Sequence, residues 1–304
     1  MSAVRTQNGL TDWFEVSTGV RQGCVLSPLL FIIYMDKITK ESNPNTEDLN
    51  EMLFADDQSL AHEEEEKLQE HTDNLNAWCK EFNMRISISK TETMKVRRTP
   101  GNLKICVDGT PLKQVREFKY LGSIFTEDGR LNREIETRVQ KANSVSYQLA
   151  PLLRHPNIPM ETKAKLINSI FIPTLTYQCQ TWTLNKSLER KITTCEMRCL
   201  RRAANKTRRD MIRNITIREM VGTTPVLNHI QKQTTRWFGH LTRMAPHQLA
   251  SKAYNRRTEG YKARGRPRKT WIEGVKETLK THNIPPSQAI QLARDRKLFL
   301  PSTP

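Results

Sequence analysis

A chain of 304 residues has room for one large domain or two ordinary ones, and with 37% hydrophobic side chains and a mean hydropathy of −0.64 it is polar for a compact enzyme. Apolar residues recurring at helical spacing exclude disorder throughout, and the absence of any apolar run near 18 residues excludes a helical membrane span by sequence; Val25 to Met35 is the longest candidate and is too short. Lys and Arg number 49 against 32 Asp and Glu, a net charge of +17 that points to a polyanionic partner.

The charge is unevenly placed. Residues 1–130 hold 16 of the basic and 21 of the acidic side chains, a net of −5, which leaves +22 for residues 131–304. A basic surface serves solubility in many proteins, but an excess confined to one half favours phosphate contact. The six cysteines, at 24, 79, 106, 179, 195 and 199, mostly fall within apolar patterns. That suits reduced thiols in a nuclear or cytoplasmic protein. The polar opening from Met1 to Asp12 is unlike a secretory signal.

In chain order, Trp13, Phe14 and Val16 suggest a strand without partners. GVRQGCVLSPLLFIIYMDKI (19–38) follows: Gly19 and Gly23 bracket a turn, and Ser27-Pro28 marks a helix start. Leu29, Leu30, Ile32, Ile33, Tyr34 and Ile38 make that helix strongly apolar. Residues 43–50 form a polar loop. MLFADDQSLA (52–61) predicts a β-hairpin with Asp56-Asp57 at or near its turn. A helix is expected from about Glu63 to Phe82, with Leu68, Leu75, Trp78, Cys79 and Phe82 on one face. The acidic run 63–66 suits the positive end of its dipole and is taken as a solvated face.

Residues 85–96 alternate and predict strand, turn, strand. Short strands are expected at 103–107 and 118–125, with turns at Asp108-Gly109 and Asp128-Gly129. From Arg130 onward the pattern is helical. Four amphipathic faces are expected: Ile135, Val139, Ala142, Leu149 and Leu152; Ala164, Ile167, Ile170 and Phe171; Leu188, Ile192, Cys195, Cys199 and Leu200; Ile230, Thr234, Trp237, Phe238 and Leu241. Pro156, Pro173 and Pro225 punctuate them. A domain boundary near residue 130 follows: an α+β domain over 1–129 and an all-α region over 130–304. Residues 256–269 are basic and read as extended.

The Asp56-Asp57 pair is the sharpest chemical feature. Adjacent carboxylates repel and need cations or solvent. Hard divalent ions such as Mg²⁺ take one or two carboxylates with phosphate oxygens, and two such ions can clamp the attacking and departing oxygens of nucleotidyl transfer. A plain Asx-rich surface turn is the competing reading of the same two residues.

The surrounding segments decide between them. GVRQGCVLSPLLF, FADD about thirty residues on, NMRISISKTETM and EFKYLGSIFTEDG resemble, in order and spacing, four palm motifs of the non-LTR (LINE-type) retrotransposon reverse transcriptases. RWFGHLTRM (236–244) and GRPRKTW (265–271) also resemble the tail of such elements. The resemblance implies a partial palm of antiparallel sheet and helices, followed by an all-α thumb and a basic helical C-terminal region. It implies an RNA-directed DNA polymerase that joins a dNTP to a primer 3′-hydroxyl on an RNA template with Mg²⁺. Asp56 would be a metal ligand and Asp57 its neighbour. Gln22 and Gly23 would lie beside nucleotide and template, with Arg21 at a phosphate. Lys90 would serve near the leaving pyrophosphate as acid or charge stabiliser. Tyr120, Leu121 and Gly122 would form the primer-gripping hairpin. Without the resemblance, Lys90 is an exposed lysine, Tyr120 and Leu121 are core strand residues, and Gln22 caps a helix.

One departure matters. The family carries another catalytic aspartate on an earlier strand, together with the fingers. Only 18 residues precede Gly19, and Asp12 in LTDWFEV does not resemble that strand. The expectation is a C-terminal fragment, inactive as an isolated polymerase. The alternative is a nucleic-acid-binding remnant or pseudogene product without polymerase activity. RNA template, DNA primer or target DNA, and dNTP are the implied partners; no protein partner is deducible. For nucleic-acid contact the candidates are Arg201, Arg202, Arg208 and Arg209, a cluster that could equally be a solvated face, and Arg264, Arg266 and Arg268 around a Gly-Arg-Pro core suited to a narrow minor groove. Cys195 and Cys199, with His229 and His240 later, could bind zinc, but helical core cysteines are the better reading.

Overall fold

The computed structural model describes residues 1–7, 9–16, 19–21, 23–42, 49–96, 101–256, 269–281 and 283–295. They form two compact units, Met1–Thr93 with Gly101–Val115, and Met94–Pro100 with Arg116–Pro304. Both helices and short strands are present, as an α+β chain requires.

In the first unit, β1 (Arg5–Thr6) and β2 (Gly9–Leu10) pair antiparallel, and a bridge from Ser2 to Phe14 extends them. Helix α1 (Ser27–Ser42) begins where Ser27-Pro28 predicts. Its Met35 and Ile38 are buried against Leu75 and Cys79 of α2 (Glu65–Glu81). Phe31 packs partly against the same core, whereas Leu29, Leu30, Ile32 and Ile33 are all exposed. Between the helices, β3 (Glu51–Phe54) and β4 (Asp57–Leu60) form an antiparallel hairpin. β5 (Glu92–Thr93) runs parallel to β8 (Lys113–Gln114). β6 (Cys106–Val107) and β7 (Thr110–Pro111) close on an Asp108-Gly109 turn with both φ positive, the geometry that favours Asp-Gly. Lys80 and Asn76 of α2 both donate to the Asp108 carboxylate, and Lys80 beside it holds that carboxyl below its usual range.

Strand pairing among the described residues is confined to pairs; no larger sheet forms. The alternation at 85–96 yields only β5. Ile86 and Ile88 pack instead against Ile105, Val107 and Leu112, so burial of single side chains, without a ladder, satisfies their pattern.

The second unit opens with the hairpin β9 (Glu117–Tyr120) and β10 (Ser123–Thr126), then α3 (Asn132–Gln148) and α4 (Ala150–Arg154). Helix α5 (Met160–Leu166) passes through a π turn at Ile167–Phe171 into α6 (Ile172–Leu175). Pro173 therefore does not break the helix; the wider π register absorbs a residue that lacks an N–H. A 3₁₀ turn at Cys179–Thr181 leads to α7 (Lys186–Ala203), capped by the Asn185 side chain accepting from the Leu188 N–H. There follow α8 (Asn214–Val221), α9 (Val226–Arg243), α10 (Leu249–Asn255), α11 (Trp271–Thr281) and α12 (Pro286–Arg294).

The largest core joins Ile135, Leu153, Ile167, Phe171, Ile192 and Leu200, all 0–1% exposed, with Ile217, Val221 and Ile230. Leu152 and Ile170, expected to face inward, are exposed, because α4 and the π turn shift their faces. A second core gathers Phe238, Val275, Leu279, Ala289 and Ala293.

Glu196 of α7, 1% exposed, is fully used: it accepts from Arg218 Nη2 at 2.7 Å and from the Val226 N–H at 2.9 Å, at the start of α9. Glu196→Ala strands a guanidinium and an orphan helix N–H. It should cost about 3–5 kcal/mol, a fall in thermal midpoint of roughly 6–20 °C for a unit of this size. Melting followed by circular dichroism checks this, with exposed Glu219→Ala as a control expected to shift little.

Candidate active site

The aspartate hairpin is as tight as hairpins become. Phe54 pairs with Asp57, leaving Ala55 and Asp56 as a two-residue turn, with Ala55 at φ +54°. A positive φ at the first turn position matches the twist of the flanking strands, and it projects Asp56 and Asp57 into solvent, where both are exposed. The far end of the hairpin is pinned. Glu51, whose side chain is 7% exposed, lies 3.5 Å from His71 Nε2 of α2 and accepts a hydrogen bond from Gln58 on the paired strand. His71 Nδ1 in turn is 2.9 Å from His62 Nε2.

Ahead of α1, Gly23 adopts φ +83° with open space where a Cβ would stand. Glycine is needed there for the backbone and not to relieve crowding. The Arg21 carbonyl accepts from Ser27 Oγ at 2.7 Å, which fixes the entry to the helix and leaves the Arg21 side chain exposed. Gln22 lies outside the described residues. Cys24, exposed, has its thiol pulled below the usual value by the Leu26 N–H and then by Ser27. Lys90 closes a turn through its N–H to the Ser87 carbonyl at 3.0 Å, and its side chain is exposed.

Tyr120, Leu121 and Gly122 belong to the second unit. Leu121 and Gly122, at φ +47° and +85°, are the turn between the short strands β9 and β10. Four side chains missed by sequence reasoning hold it. Arg138 donates to the Gly122 carbonyl and to Glu134, and its guanidinium stacks 4.6 Å from the Tyr177 ring centroid. The Tyr177 hydroxyl donates to the Leu121 carbonyl at 3.1 Å, and Gln178 reaches the same oxygen and Ser123. Glu134 accepts from the Ile124 N–H at 2.8 Å. A Cβ on Gly122 would meet Tyr177 at 3.3 Å. The available signal was Glu134 and Arg138 flanking buried Ile135 on one apolar face.

The basic cluster divides in two. Arg201 donates to the Ile212 carbonyl at 3.0 Å and to Asn214. Arg202 donates to the Ser146 carbonyl at 2.7 Å and lies over Tyr147. Both are partly buried structural clamps, whereas Arg208 and Arg209 are exposed. Arg264, Arg266 and Arg268 lie outside the described residues. Cys195 and Cys199 are buried, and burial pushes the Cys195 thiol up to about 12. Among the described residues no three His, Cys, Asp or Glu side chains converge to hold a metal. Asp56 and Asp57 offer two carboxylates, enough for a hard ion only when phosphate and water complete its shell.

This hairpin, and the glycine turn before it, stand in a stretch that matches a known family. Residues 2–125 match the reverse transcriptase (RNA-dependent DNA polymerase) family. The chain is similar to RNA-directed DNA polymerases from mobile elements. It is 26% identical to one from transposon X-element of Drosophila melanogaster over 268 residues, 79% of this chain and 27% of that protein. It is 27% identical to one from mobile element jockey of Drosophila funebris over 187 residues, 55% of this chain and 19% of the other. A transposon-derived protein of Caenorhabditis elegans is 26% identical over 84% of this chain and 95% of its own length. The chain thus spans about a quarter or less of the polymerases it matches. No solved structure matches it. No described helix is long and apolar enough to cross a membrane.

The thiols give a direct check on these placements. At pH 7 a disulfide reagent should modify Cys24 first, since its lowered pKa raises the thiolate fraction, and half-buried Cys106 more slowly. Cys79, Cys179, Cys195 and Cys199 should stay silent until denaturant is added. More than two thiols reacting in the native chain would contradict the burial described.

Proposed function

We propose that the chain is a polymerase segment of a non-LTR retrotransposon: residues 1–129 the later part of the palm, and residues 130–304 the thumb with its basic C-terminal region. Its task is nucleotidyl transfer from a dNTP to a DNA primer 3′-hydroxyl on an RNA template. The observation that carries this reading is the Asp56 turn, exposed at the tip of a hairpin within the stretch matched to reverse transcriptases.

In this reading Asp56 and Asp57 would hold Mg²⁺ together with the nucleotide's phosphates, and an ion held there would supply positive charge beside the transferring phosphoryl group. Arg21 and Lys90 keep exposed cations for phosphate and departing pyrophosphate. Gln22 and Gly23 border the nucleotide, where glycine lets backbone approach closely. Tyr120, Leu121 and Gly122 seat the primer terminus, and the contacts from Arg138 and Tyr177 keep that turn in one conformation, as in-line transfer demands of its reactants. The +22 excess over 131–304 draws the nucleic acid to the surface before the chemistry.

Primer extension tests the proposal. Two carboxylates are fewer donors than a two-ion clamp needs, so the isolated chain is expected to add no nucleotides processively with Mg²⁺ or Mn²⁺. Fused behind the preceding polymerase segment of the X-element relative, it should incorporate dNTPs, and Asp56→Ala should remove that activity. Incorporation indifferent to Asp56→Ala overturns the reading; robust extension by the isolated chain, lost in Asp56→Ala, keeps the site and shows the chain sufficient.

A further inference from the structure

Helices α3 and α7 lie side by side and run in the same direction. Lys191 reaches Glu136 at 2.6 Å, Cys195 Sγ lies 3.8 Å from the Val139 carbonyl, and Arg202 meets Ser146. An open groove of about 460 Å³ follows this seam, lined by Gln140 from α3 and by Arg190, Thr194 and Arg198 from α7. Those three α7 residues are exposed and stand one turn apart on a single face. Arg190 and Arg198 make no side-chain hydrogen bond or ion pair among the described residues. Glu136, the acid in the groove's lining, is already neutralised by Lys191. Eight residues of α-helix place the two free guanidinium stems about 12 Å apart, farther than one phosphate spans.

The same seam ends on an aromatic platform. Tyr147 is two turns beyond Gln140 on α3 and is 68% exposed. The Arg202 guanidinium, 4.5 Å from its ring centroid, holds the ring in place while Arg202 itself is anchored on Ser146. A line of unpaired cations leading to a fixed, open aromatic ring is the arrangement that takes phosphates along a groove and stacks an unpaired base at its end. A duplex keeps its bases stacked within the helix and offers no free face to such a ring.

We propose that the α3–α7 seam is a single-strand nucleic-acid track: Arg190 and Arg198 take backbone phosphates and Tyr147 stacks a base. This deepens the polymerase reading above and rests on it. RNA and DNA share the phosphate and the base face, so the experiment carries both.

The full chain is titrated by fluorescence anisotropy against labelled oligouridine RNA, oligothymidine DNA and a duplex of equal length, over a series of salt concentrations. Both single strands should bind more tightly than the duplex, the preferred strand being the one bound more tightly at equal salt. Arg190→Gln with Arg198→Gln should flatten the salt slope by about 1.4, two single-strand phosphates' worth. Tyr147→Ala should weaken single-strand binding roughly 5- to 150-fold and leave duplex binding unchanged, while Tyr147→Phe restores it. Thermal melting monitors the fold of each variant, and Arg208→Gln with Arg209→Gln reports the rest of the basic surface. An unchanged slope in the Arg190/Arg198 variant, with tight wild-type binding, overturns the seam and spares the polymerase reading. Equal losses on single strand and duplex in Tyr147→Ala overturn it as well. Displacement of the oligonucleotide by polyglutamate at equal charge assigns the groove to an acidic protein and overturns it. No binding by the wild-type chain at low salt removes both readings.

Discussion

Glu134 and Arg138 are both nearly inaccessible, with side chains 2% and 5% exposed, and ions taken so far out of water are stable only when every polar atom is used. Here each is. Glu134 takes the Ile124 N–H and Arg138; Arg138 gives to Glu134 and the Gly122 carbonyl and lies on Tyr177. The turn at Leu121-Gly122 has two residues at positive φ, a conformation that leucine adopts at a cost of about 1 kcal/mol. The hairpin therefore does not choose its own shape. It is held from outside, by a charge pair on the next helix and by the Tyr177-Gln178 turn. Glu196 repeats the device by gripping Arg218 and the first N–H of α9.

The first unit works differently. Its cores are small: four buried side chains between α1 and α2, three around Ile105. Its strands come in pairs, and polar contacts at the Glu51–His71 end do for the aspartate hairpin what the buried pair does for the other one. The charge asymmetry runs along the chain in the same sense, with a net −5 over residues 1–130 and +22 over 131–304.

Local signals carried much of this into the sequence. MLFADDQSLA names its hairpin because apolar flanks bracket Asp56-Asp57, at or near the turn, which the structure sets at Ala55-Asp56. The helical faces of α2, α7 and α9 are legible because their apolar positions keep one period over four or five turns. Features set by long-range packing were not legible. Glu134 and Arg138, four apart, look like the exposed helix pairs that stabilise by a few tenths of a kcal/mol; only the partners from residues 121–124 and 177 make them internal. Arg201 and Arg202 look free for the same reason, until carbonyls at 212 and 146 claim them. Pro173 signals a break that a π turn removes. Ile86 and Ile88 alternate as a strand does, yet find cores without a strand partner. For Asp56 and Lys90 the chemistry came from the resemblance, since two exposed aspartates and one exposed lysine look the same in any surface turn.

The open face of α1 has a consequence for how the chain behaves as a colloid. Val25 and Leu26 just ahead of it and Leu29, Leu30, Ile32 and Ile33 on it stand in water, Val25 at 91% exposure, on molecules that carry a net +17. At low ionic strength like-charge repulsion keeps such molecules apart. Near physiological salt its range shrinks to about 8 Å, and apolar faces can then meet. The concentrated salt customarily used to strip nucleic acid from a basic protein is thus the condition that drives this one toward self-association, so the washes that clean it also set its solubility limit.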